Sequence, residues 1–217
     1  MVMSLKQIII PARAGSKGWP GKNRRLFNHT IDIIPSDYKK YVLVSTDDVE
    51  IANKCDRLKI GCELRDPKLA ADKTDIKSVL TNIGKRYKYK PTDLIVMLYL
   101  TYPDREWSHV EDMYLTFASN GYQSMLCRQP VLSHPCLTMI ETGTDTGTPV
   151  MNHDMYQRQQ YPECFELSHY VTMYRQQELK HLNKNLYNQD TRYYSIDRCV
   201  DVDHEQDYIN KIIMKKA

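Results

Sequence analysis

The sequence predicts an α/β fold of three layers, a mixed, mostly parallel sheet between two layers of helices. Three observations predict it. Short, continuous apolar runs recur along the chain, as expected of strands buried on both faces. Each run is followed by a polar loop, and each loop by apolar residues at helical spacing.

The first run is Gln7 to Pro11 (QIIIP), the second Tyr41 to Ser45 (YVLVS), and the third and longest Asp93 to Leu100 (DLIVMLYL). Ile51, Cys55 and Leu58 share one helical face after Asp47 and Asp48, which suit an N-terminal cap. Ile76, Val79, Leu80, Ile83 and Tyr87 form a second stripe, and Tyr208, Ile209, Ile212 and Ile213 a third near the C-terminus. Glu141 to Pro149 (ETGTDTGTP) has no period and reads as a loop or hairpin tip.

The 217 residues fit one domain over the whole chain, 1–217. Thirty basic residues against 27 acidic ones leave a net charge of +3, which argues against a dedicated nucleic-acid binder. Many of the 16 tyrosines, such as Tyr87 and Tyr208, sit on apolar helical faces and read as core rather than base-stacking residues. The six cysteines include no C-x-x-C pair, so a structural zinc site is not expected. The start lacks the h-region and cleavage site of a signal peptide, and no run reaches the roughly 20 apolar residues of a membrane span. These features predict a cytoplasmic protein with free thiols and no membrane partner.

The chemistry concentrates after the first strand. Residues 10–23 (IPARAGSKGWPGKN) run from an apolar strand into a loop with three glycines, Ser16 and the cations Arg13, Lys17 and Lys22. Glycines let backbone N–H groups approach an anion, and the cations add charge-assisted bonds to phosphate oxygens. The segment fits neither G-x-x-x-x-G-K-[ST] nor G-x-G-x-x-G. Near the C-terminus, Asp201-Val202-Asp203 puts two carboxylates on one face of an extended chain. With phosphate oxygens and water, such a pair suits Mg²⁺. The alternative is an acidic turn, with Asp203 or His204 capping the next helix.

The loop resembles the signature of the acylneuraminate cytidylyltransferase family, which makes CMP-linked sialic and related nonulosonic acids and is akin to the Kdo cytidylyltransferases. Its arginine, Ser-Lys and Lys-Asn fall here on Arg13, Ser16-Lys17 and Lys22-Asn23 without insertion. The resemblance continues through residues 44–55, 65–74 (RDPKLAADKT), 158–162 (RQQYP) and 199–208 (CVDVDHEQDY). It implies a Rossmann-like fold of the nucleotide-diphospho-sugar-transferase type. It also implies transfer of a cytidylyl group from CTP to a keto-sugar acid, with release of pyrophosphate. On that basis the nucleotide site comprises Ala12, Arg13, Gly15, Ser16, Lys17, Lys22, Asn23 and Arg65, with Asn23 and Arg65 reading the cytosine. Arg13, Lys17 and Lys22 would stabilise growing charge, Asp201 and Asp203 would hold Mg²⁺, and Tyr99, Thr101, Arg158 and Gln159 would meet the acceptor. The resemblance further implies a homodimer, with residues near 130–165 as the dimerisation arm.

Three departures from the family pattern stand out. The crossover between Asn23 and Tyr41 is short and contains Pro35. A glutamine expected at the end of the third apolar run is Tyr99, in Tyr99-Leu100-Thr101-Tyr102-Pro103. An expected Asn-Gly pair is Ser168-His169. Nucleotide binding is therefore expected intact and the acceptor altered. The competing functions are a nucleotide-binding relative without turnover, or a nucleotidyltransferase with another sugar acceptor.

Overall fold

Three consecutive isoleucines, Ile8 to Ile10, lie in the middle of the sheet and are fully buried. The computed structural model describes residues 5–210. In chain order the elements are β1 (Leu5–Ala12), α1 (Lys22–Asp32), α2 (Ser36–Lys39), β2 (Val42–Thr46), α3 (Val49–Leu58), β3 (Gly61–Leu64), α4 (Pro67–Ala70) and α5 (Ile76–Arg86). There follow β4 (Leu94–Met97), α6 (Trp107–Ser119), β5 (Ser124–Pro130), β6 (Met139–Gly143), β7 (Thr146–Pro149), β8 (Phe165–Arg175), β9 (Arg192–Ser195) and α7 (Glu205–Tyr208).

Seven strands form one sheet in the order β3-β2-β1-β4-β8-β5-β9, and β8 runs antiparallel to both of its neighbours. Side chains alternate across the pleat. Ile8, Ile10, Val42, Val44, Leu94 and Val96 face one core, built with Leu26, Phe27 and Ile31 of α1, Ile51 and Cys55 of α3, and Val110, Met113 and Phe117 of α6. Ile9, Leu43, Ile95 and Met97 face the other, built with Val79, Leu80 and Ile83 of α5 and with Leu179, Leu182 and Leu186. These are the expected three layers, with a mixed, mostly parallel sheet at the centre.

The short crossover after β1 holds an 11-residue helix, α1, and Pro35 falls at the N-terminal boundary of α2, where a missing N–H costs nothing. Asp48 caps α3, accepting from the backbone N–H groups of Glu50 and Ile51. Two side chains expected in the core lie outside it: Leu58 is 44% exposed and Tyr87 is 39% exposed, because both sit at helix ends where the apolar stripe turns off the sheet. The third strand is shorter than its apolar run. Leu98 still donates its N–H to Ile9, but residues 99–101 leave the ladder, drawn off where Arg105 donates to the Tyr99 carbonyl and Val202 donates to that of Thr101. Residues 141–149 belong to the hairpin β6–β7, a separate two-stranded sheet whose strands are exposed. Of the C-terminal stripe, Tyr208 packs on Trp19 at 5.6 Å between ring centroids, and Ile212 and Ile213 lie outside the described residues.

Candidate active site

In an open α/β sheet, the crevice for a ligand forms where successive crossovers leave in opposite directions. Here that point lies between β1 and β4, because β2 and β3 extend the sheet on one side of β1 and β4 lies on the other. A cleft of about 250 Å³ opens at their C-terminal ends. It is lined by Pro11, Arg13, Gly15, Ser16, Lys22 and Asn23 after β1, Arg65 after β3, Tyr99, Leu100 and Thr101 after β4, and Thr74, Ile76 and Val79 at the start of α5.

The loop after β1 is pinned at several points. Ala14 donates its N–H to Asp47 at 2.8 Å, and the Asn23 side-chain amide donates to the Arg13 carbonyl at 2.7 Å. Trp19 anchors the loop in the core at 4% exposure. Gly21 has φ +71°, a left-handed conformation that starts α1 without a side-chain penalty. Gly18 lets the loop approach the D-x-D segment closely: a Cβ there would stand 2.8 Å from the Asp203 carbonyl oxygen.

All three cations of this loop rest on carboxylates. Arg13 and Lys17 take one oxygen each of Asp72, at 2.5 and 2.6 Å, and the largely buried Lys22 donates to Asp203 at 3.0 Å. The cleft thus holds cations where an anion can replace carboxylates as their partner.

Arg65 also lines the cleft. Its Nε donates to the Ser45 hydroxyl at 2.9 Å, while its buried Nη2 has no partner among the described residues. Burial lowers its pKa, opposed by the charges of Asp47 and Glu63. Tyr99 lies nearby, its ring edge-on to His169 at 5.5 Å. Burial pushes the Tyr99 phenol up to about 12, with Arg65 opposing the rise and Asp201 adding to it.

Asp201 and Asp203 flank Val202, which is fully buried, so both carboxylates leave the opposite face of the chain. Neither lines the cleft, but Asp203 meets Lys22 and Asp201 meets Thr101, which do. Asp201 accepts from the Tyr102 hydroxyl at 2.9 Å and bonds the Thr101 side chain. Burial raises its pKa, and the charge of Asp203 adds to that. His204 is the N-cap of α7, in a capping box with Asp207, whose side chain accepts from the backbone N–H groups of Asp203 and His204. No group of three or more His, Cys, Asp or Glu side chains among the described residues could hold a metal. A cation on the aspartate pair would therefore draw its other ligands from substrate oxygens and water, as Mg²⁺ does. Beneath this region lies Arg105, buried and with no acidic partner among the described residues. It donates to the carbonyls of Tyr99 and Tyr170, and its guanidinium faces the rings of Tyr102 and Tyr170.

The expected site residues do not all converge. Ala12 is buried, and its carbonyl accepts from the Thr46 hydroxyl at 2.6 Å, so it supports the loop. Lys17 stands at the rim, 82% exposed. Arg158 and Gln159 lie in a 3₁₀ turn beyond the β6–β7 hairpin, where Arg158 lines a separate cavity with Leu132, His134 and Tyr161. The sequence singles out neither Asp72 nor Arg105. Asp72 lay in the segment already matched to the family, but an acid seven residues from Arg65 carries no signal until the fold brings it to Arg13.

Residues 7–198 match the cytidylyltransferase family. Curated relatives include the N-acylneuraminate cytidylyltransferases of Streptococcus agalactiae serotypes V and III, each 31% identical over 148 residues, or 64% of this chain and 35% of the relative. The chain thus spans about a third of the length of the curated relatives it matches. Among solved structures, it resembles a CMP:2-keto-3-deoxy-manno-octonic acid synthetase complexed with CTP, with TM-score 0.65, 12% identity, and coverage of 97% of this chain and 99% of that one. It also resembles the 4-diphosphocytidyl-2C-methyl-D-erythritol synthase of Anaerococcus prevotii, with TM-score 0.58, 11% identity, and coverage of 98% and 99%. These two likenesses carry the fold, and the match over residues 7–198 carries the family: the chain belongs to the cytidylyltransferases.

Proposed function

We propose that this chain transfers the cytidylyl group of CTP to a keto-sugar acid of the sialic or nonulosonic class. The acceptor's hydroxyl oxygen bonds to the α-phosphorus, the bridging bond to the β-phosphate breaks, pyrophosphate leaves, and the hydroxyl proton is lost. The observation that carries this reading is the cleft itself. Arg13, Lys22 and Arg65 line one cleft at the switch point of the sheet, where Arg13 and Lys22 rest on the carboxylates of Asp72 and Asp203. Arg65 and Asn23 would meet the cytosine, and Arg13, Lys17 and Lys22, with Gly15 and Ser16, the triphosphate. Such preset cations stabilise the charge that grows on the leaving phosphates.

Asp201 and Asp203 fit Mg²⁺ as two hard oxygen donors on one face. Bound there, the ion would screen phosphate charge and acidify an adjacent hydroxyl. The sugar-acid class rests on the 31% identical N-acylneuraminate cytidylyltransferases. The arm supports a homodimer: Leu132, Leu137, Met139, Ile140 and Tyr156 are all more than half exposed around the hairpin. In a dimer, Arg158 and Gln159 would reach the partner's acceptor pocket. All six cysteines are free, which fits a reducing cytoplasm, and no helix among the described residues is long and apolar enough to cross a membrane.

Titration calorimetry with CTP, UTP, ATP and GTP tests the nucleotide. CTP should bind most tightly, and tighter binding of any other triphosphate overturns the assignment. CTP binding with no pyrophosphate release on any acceptor would instead identify a nucleotide-binding relative without turnover.

A further inference from the structure

Asp72 sits on the segment between α4 and α5, the same segment that carries Thr74 into the cleft. Its two oxygens divide two cations of the loop after β1: Oδ1 takes Arg13 at 2.5 Å and Oδ2 takes Lys17 at 2.6 Å. The bonds from Lys17 and then Arg13 hold the carboxyl below its ordinary range, so it is ionised at neutral pH. A carboxylate bridging two cations presents the charge and oxygen geometry of a phosphate edge. Neither cation can give the same donors to a phosphate while Asp72 holds them. The half-exposed carboxylate can swing away into water at little cost, which suits a reversible contact rather than a structural one.

We propose that Asp72 is an intramolecular competitor for the polyphosphate. It occupies the cations in the empty site, yields them to the triphosphate of CTP, and takes them back as pyrophosphate departs. The proposal rests on the assignment of Arg13 and Lys17 to the triphosphate. It gives the residue a consequence for specificity: ligands with a polyphosphate must displace Asp72, while CMP, with one phosphate next to the ribose, need not.

The test is calorimetry with CTP, inorganic pyrophosphate and CMP on wild type, Asp72→Asn, Asp72→Ala and Arg13→Ala. Asp72→Asn and Asp72→Ala should both tighten CTP and pyrophosphate about two- to tenfold, as befits partly exposed ion pairs, and leave CMP unchanged. The gain should shrink as salt is raised, because screening weakens the contact being removed. Unchanged CTP affinity in both variants overturns the proposal. So does weaker CTP binding, which would make Asp72 a ligand of the nucleotide or its cation. Arg13→Ala separates the two levels. If it loses CTP affinity while the Asp72 variants do nothing, the triphosphate reading stands and the competitor falls. If Arg13→Ala binds CTP like wild type, the assignment itself fails, and the competitor with it.

Discussion

Replacing Tyr99 with glutamine is the most informative change to the acceptor side. The ring is partly buried where the two cores meet, edge-on to His169 at 5.5 Å, and it forms part of the cleft wall. Its phenol is uncharged at neutral pH, being pushed up to about 12. Glutamine removes the ring pair, worth about 0.5–1.5 kcal/mol, and part of the buried area. Because the site is only partly enclosed, the stability loss should be about 1–3 kcal/mol, below that of a fully buried aromatic truncated to alanine. On the acceptor, an amide offers two donors and an acceptor where tyrosine offers one hydroxyl and a flat apolar face. One hydrogen bond made or lost in such a site is worth about 1–3 kcal/mol, or tenfold and more in preference. The assay is kcat/KM for sialic acid and for a deoxygenated nonulosonic acid, with wild type, Tyr99→Gln and Tyr99→Phe. Wild type should prefer the deoxygenated acid, Tyr99→Phe should keep that preference, and Tyr99→Gln should move it toward sialic acid by about tenfold or more. A wild type that prefers sialic acid, with the ratio untouched by Tyr99→Gln, refutes the reasoning.

Other perturbations follow from the same geometry. Arg13→Ala should raise the barrier by about 2–4 kcal/mol, read as kcat, with a native circular dichroism spectrum because the residue lies in a loop; full activity rejects its role. Asp201→Asn and Asp203→Asn should each weaken Mg²⁺ activation. Asp201→Asn should also raise the denaturation midpoint at neutral pH, since burial disfavours the ionised carboxylate it replaces; wild-type rates at limiting Mg²⁺ in both would leave the pair structural. Asp48 gives a pH test. Burial pushes its carboxyl up, but Arg24 and the N–H groups of Ile51 and Glu50 outweigh this and hold it below the ordinary range. A depressed carboxyl contributes its full stability above the unfolded value near 3.9 and loses it as pH falls through the folded value. Asp48→Ala should therefore cost about 1–2 kcal/mol at neutral pH, with the gap to wild type closing below about pH 4. A gap that widens on acidification contradicts this.

The parallel half of the fold was legible because its signals are local. QIIIP and YVLVS are strands because no half-exposed surface could take such runs, and α5 shows in the spacing of Val79, Leu80 and Ile83. The strand β8 was not legible. Its eleven residues, FELSHYVTMYR, begin with alternation beside the arm and end in a buried run. Nothing local says that this segment inserts antiparallel between β4 and β5. The edge strand β9 (RYYS) is half polar and forms only because β5 offers it a partner. Within the site, Arg13, Lys22, Asn23 and Arg65 could be singled out by chemistry and resemblance, and the structure brings them to one cleft. Asp72 and Arg105 could not, because each acts on residues that only folding brings near: Asp72 reaches Lys17 and Arg13 across the loop, and Arg105 reaches Tyr170 across the sheet.

The central claim is that the cleft between β1 and β4 activates a sugar acid with CTP. Pyrophosphate release tests it most directly, with CTP, ATP, GTP and UTP each offered against sialic, pseudaminic, legionaminic and Kdo-type acids in the presence of Mg²⁺. Release should require CTP together with one of these acids, and should fall to background in Arg13→Ala. Release driven by another nucleotide, or CTP turnover indifferent to the acid supplied, would contradict the account.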